Sequence, residues 1–62
     1  MSDEVPVETL AETGNYVAWV SREPDGETVW HLELGRVTLH FFREEWNELL
    51  RLLQLARKGD AG

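Results

Sequence analysis

Cysteine is absent from these 62 residues, which excludes disulfide staples, cysteine-ligated zinc, iron–sulfur clusters and thiol catalysis. Basic residues are few, 6 against 12 acidic ones, for a net charge of -6. That sign repels phosphate backbones and anionic lipid heads. No apolar run approaches the ~20 residues needed to cross a bilayer. The opening Met1-Ser2-Asp3-Glu4 is acidic where a secretory signal is basic and then apolar, so the expected location is cytoplasmic. Repeats, low-complexity tracts, glycine-rich phosphate loops and linkers long enough to separate domains are also missing.

A single domain over 1–62 is therefore expected. A chain this short buries only about 60% of the surface its unfolded form exposes. With disulfides and cysteine-held metal excluded, a second copy of the chain becomes the leading source of extra core. The charge is uneven as well: residues 1–33 carry eight acids and only Arg22 as a base, whereas 34–62 carry four acids and five bases. An electrostatic partner of the first half has to be basic.

The apolar pattern has a period of two from Asn15 to Phe42 and of 3.6 after it. Asn15 to Arg22 reads as a strand rich in β-branched and aromatic residues. Pro24-Asp25-Gly26 sets a type I turn with a glycine bulge. Thr28 to Leu34 is the next strand, Gly35-Arg36 a two-residue hairpin with glycine first, and Val37 to Phe41 or Phe42 the strand after it. Residues 1–14 form either an N-terminal arm or an edge strand carrying Val5, Val7 and Leu10, with Pro6 confining any strand to the edge. From 43 to 58 an amphipathic helix places Trp46, Leu49, Leu50, Leu53 and Ala56 on one stripe, Leu52 on its flank and Leu55 away from it. Glu44, Glu45 and Glu48 at the start and Arg51, Arg57 and Lys58 toward the end suit the helix dipole. Gly59 marks the stop before a tail, 59–62, and no Ser, Thr, Asp or Asn caps the start. The fold class is α+β: an antiparallel β-meander of three or four strands, then one C-terminal helix packed on one sheet face.

The two turns fix the register. Residues summing to 50 oppose each other across the first, and residues summing to 71 across the second. One face then collects Tyr16, Ala18, Val20, Trp30, Leu32, Leu34, Val37, Leu39 and Phe41, the surface the helical stripe is expected to cover, with Trp46 against Leu32 and Leu39. The other holds Val17, Trp19, Ser21, Val29, His31, Glu33, Thr38, His40 and Phe42, which is too apolar for an ordinary solvated face. Val17, Trp19, Val29, His31, His40 and Phe42 are its candidate interaction surface, either for a second copy or for an unknown protein. One short helix cannot cover two apolar faces, so a homodimer is expected.

His31 and His40 are opposed, with Glu33 diagonal to them, a weak candidate set for zinc or nickel. Two histidines without a metal-ligand motif more often serve packing or hydrogen bonding, so neither a metal nor another cofactor is expected. Ser21, His31 and Glu33 share the face, but a flat sheet offers no nucleophile elbow, oxyanion donors or deep pocket, so catalysis is not expected either.

The strand Val37-Thr38-Leu39 leading through Trp46 to Leu53 is similar to the single-strand nucleic-acid-binding domain of the transcriptional coactivator positive cofactor four. That resemblance implies a dimer that binds single strands through a basic, aromatic sheet surface, with Trp19 and Phe42 stacking bases. Glu23, Glu27 and Glu33 stand where such a surface uses lysine and arginine. The first expectation is accordingly a noncatalytic, acidic protein-interaction module, and the second a nucleic-acid-associated regulatory domain of that type.

Overall fold

The computed structural model describes residues 6 to 60. Four antiparallel strands, β1 (Val7–Glu12), β2 (Tyr16–Arg22), β3 (Thr28–Leu34) and β4 (Val37–Phe41), form one sheet in the order β1-β2-β3-β4, and α1 (Arg43–Asp60) follows and packs on it. The meander is four-stranded because Val7 to Glu12 pairs along β2 as the edge strand. Val5, grouped with Val7 and Leu10 by the sequence pattern, and residues 61 and 62 lie outside the described residues.

Each turn is set by its own chemistry. At the first, the Gly26 amide donates to the Glu23 carbonyl, the Glu27 amide donates to Asp25 Oδ1, and Gly26 takes φ 93°. At the second, Gly35 takes φ 69° while Arg36 keeps a negative φ, the signature of a type II′ hairpin turn. Both turns give the register read from the sequence: Trp19 faces His31, Val20 faces Trp30, His31 faces His40 and Leu34 faces Val37. Against β1 the pairing slips once, between Thr9 and Ala11. Leu10 is the inserted bulge residue, a device that twists and blunts an edge strand.

The helix begins without a side-chain hydroxyl or carboxylate at its cap position. Instead Glu45 Oε1 accepts from the Phe42 amide at 3.0 Å, the backward half of a capping box with phenylalanine as the cap residue. At the other end α1 runs past the expected stop to Asp60. Gly59 ends nothing here because it does not enter the left-handed conformation of a C-cap, which among the described residues only Gly26 and Gly35 adopt.

Val20, Trp30 and Trp46 make the core, with Ala18, Leu32, Phe41 and Leu49 packed against it. Phe41 meets Trp46 at 5.7 Å between ring centres, and the Arg43 guanidinium lies 4.9 Å above the Trp30 ring. The helix thus covers one end of the expected face and not its whole length. Leu32 packs against the cluster that contains Trp46, but Leu39 is 41% exposed. Since β4 ends beside Trp30 and α1 follows after one residue, the first turns dock on Val20, Trp30 and Phe41, and the distal half does not return along the strands. The long dimension of 53 Å is close to a strand and a helix laid end to end, about 23 Å plus 27 Å. The radius of gyration is 13.8 Å, where a compact chain of this length has about 10.5 Å.

Candidate functional site

The sheet face opposite α1 carries a connected line of polar side chains. Odd-numbered residues of β2 and β3 and even-numbered residues of β4 share this face by register. Ser21, 5% exposed, donates its hydroxyl proton to Glu23 Oε2 at 2.7 Å. On its other side Ser21 Oγ meets His31 Nε2 at 2.7 Å, and His31 Nδ1 meets His40 Nδ1 at 2.7 Å. A carboxylate only accepts and a hydroxyl has one proton, so the protons follow in sequence. His31 Nε2–H donates to Ser21, and His31 Nδ1 is then a bare acceptor for His40 Nδ1–H.

Aromatic contacts hold the line in place. Trp19 stacks on His31 at 5.0 Å and 11°, and His31 meets His40 edge-on at 4.9 Å and 86°. Burial and the neighbouring His40 push the His31 pKa below its ordinary 6.5, while the Glu23 carboxylate pulls the other way. Desolvation disfavours an imidazolium, and a proton on each ring would oppose two N–H groups at 2.7 Å.

Trp19, Ser21, His31 and His40 are therefore brought into contact in the register that the turns dictate. Glu33 is paired with Val17 and Thr38, and among the described residues no group of three His, Asp or Glu side chains is arranged to hold a metal ion. Val17 and Val29 flank Trp19 and His31 along the same face, both half-buried. Phe42 lies beyond β4 at the helix cap and is 55% exposed. Sequence reasoning names Glu23 only as an acid at this surface and not as a hydrogen-bond partner, although its parity with Trp19 and Ser21, one residue past the end of β2, carries the signal.

A second surface emerges from the short reach of the core. Leu50, Leu52, Leu53 and Leu55 on α1 are 42%, 59%, 52% and 52% exposed. Between β4 and this stretch of the helix runs an open groove of about 330 Å³, lined by His40, Phe41, Glu45, Glu48, Leu49 and Leu52. No helix among the described residues is long and apolar enough to cross a membrane. No protein family, curated protein or solved structure matches the chain.

Proposed function

We propose that this chain is a noncatalytic, cytoplasmic protein-interaction module that works as a homodimer. The observation that carries the reading is surface. The chain exposes 5404 Å² for 7.2 kDa, where a compact monomer of that mass exposes about 4,100 Å². The excess, roughly 1,300 Å², is larger than the ~800 Å² each partner buries in a standard interface.

The polarity of the Ser21 network argues against acyl-transfer chemistry. A serine nucleophile gives its proton to histidine, whereas Ser21 gives its proton to Glu23 and receives one from His31. The face with Val17, Trp19, Val29, His31, His40 and Phe42 is the surface offered to a partner protein. Glu23 and Glu33 beside it favour a basic partner.

Sedimentation equilibrium tests the reading. Twice the chain mass is expected at about 100 µM, well above the dissociation constants of stable assemblies, together with a melting midpoint that rises with concentration. A single-chain mass throughout that range refutes the homodimer.

A further inference from the structure

We infer that the dimer seam is the distal half of α1, paired antiparallel with α1 of a second copy across a two-fold axis near Leu52. This rests on the homodimer reading and names the surface that makes it.

Around the helix the apolar side chains Leu52, Ala56, Leu49, Leu53, Trp46 and Leu50 span an arc of about 160° at 100° per residue. The sheet of the same chain uses only the Trp46 and Leu49 portion of that arc. Leu50, Leu52, Leu53 and Leu55 are left more than two-fifths exposed. The side of this stripe centred on Leu52, with Leu49 and Ala56 to one flank and Leu55 to the other, is an exposed apolar patch of the kind that marks an interface.

Charge selects the cover and its direction. The first turn of α1 is acidic at Glu44 and Glu45, and the last turn is basic at Arg57 and Lys58. Two copies side by side in parallel oppose like charges at both ends; antiparallel copies place the basic end of each against the acidic end of the other, and their helix dipoles then also attract. The groove beside β4 is lined by Glu45, Glu48, Leu49 and Leu52 among others, so it offers apolar contact and negative charge to the incoming helix end. With the axis near Leu52, Leu49 of one copy faces Leu55 of the other. Leu55, which points away from the chain's own core, thereby gains a partner. The contact is isologous and closes at two subunits. It also leaves the Trp19 and His31 part of the opposite face open to another protein.

The test compares wild type, Leu52→Glu and Trp19→Glu by sedimentation equilibrium at about 100 µM. Leu52 is 59% exposed, so Leu52→Glu keeps the monomer fold, verified by its amide spectrum. Its dimer is expected to weaken by at least about thirtyfold, the scale of a lost hot spot, while Trp19→Glu remains dimeric. A dimeric wild type whose dissociation constant, measured by dilution from that concentration, is unchanged in Leu52→Glu overturns the seam and leaves the homodimer reading standing; a monomeric wild type overturns both. Because the chain has no cysteine, single-cysteine variants report direction without background. Leu52→Cys should oxidise to a covalent dimer, and Gly59→Cys, on the same side of the helix but about two turns from the axis, should not. Self-crosslinking of Gly59→Cys establishes parallel helices and refutes the antiparallel arrangement.

Discussion

His31 and His40 meet nitrogen to nitrogen across β3 and β4, their Nδ1 atoms 2.7 Å apart. The contact holds when His31 Nδ1 is bare, and protonation of His31 turns it into an opposed pair of donors. Because the His31 pKa is lowered from 6.5 in the folded chain, chiefly by burial and then by His40, the unfolded chain binds protons more readily. The sign follows by linkage: stability attributable to His31 is constant above the unfolded value and declines as pH falls below about 6.5, until the folded group titrates as well. Urea unfolding from pH 8 to 5 should show this decline, and His31→Gln should flatten it. A wild-type curve that gains stability over that interval contradicts the assigned network.

Trp46 is the only buried residue of α1, and it closes a core whose other buried apolar members are Val20 and Trp30. Trp46→Ala removes the largest contact between helix and sheet. It should cost about 3 to 5 kcal/mol, a large fraction of the stability of a small domain. The measurement is the denaturant midpoint, with loss of the cooperative transition as the extreme result. An unchanged midpoint is incompatible with this core.

The sheet is legible in the sequence because two kinds of signal agree. Gly26 and Gly35 demand specific turns, and those turns put every apolar residue from Tyr16 to Phe41 that belongs on one face onto that face. A one-residue slip in either hairpin would scatter the set, so the register of His31 with His40 follows without long-range information. The extent of helix docking does not follow. The stripe from Trp46 to Ala56 has the same period whether it lies on its own sheet or projects beyond it, because periodicity defines a face and not its cover. Residue type marks Glu23 and Glu45 only as turn and helix-start charges, yet each accepts a specific hydrogen bond, from Ser21 and from the Phe42 amide. Local geometry at element ends decides such bonds.

The Glu45 contact gives a third expectation. Its carboxylate satisfies one of the free amides at the start of α1, so Glu45→Ala should lower stability by about 0.5 to 1 kcal/mol, in the range of other caps. Glu45→Gln keeps a carbonyl acceptor and should lose less. Thermal midpoints measured where both variants and the wild type have the same sedimented mass separate this effect from assembly. Equal losses in the two variants indicate that charge at the helix start, and not the hydrogen bond, is responsible.

The nucleic-acid reading of the sequence pattern from Val37 to Leu53 yields the remaining expectation. Stacking platforms work when aromatic faces lie open along a basic track. Trp19 instead has one ring face occupied by His31 at 5.0 Å, and Glu23 sits on the same side of the sheet, joined to that histidine through Ser21. A base stacking on the remaining Trp19 face brings its phosphates toward Glu23 and Glu33, on a chain with net charge -6. Repulsion grows as salt is removed, so a gel-shift titration with a single-stranded oligonucleotide should show no complex at either about 200 mM or about 50 mM salt. A complex that tightens between those two conditions would mean that cationic contacts with the strand outweigh the acidic face, and the protein-interaction reading would give way to the nucleic-acid one.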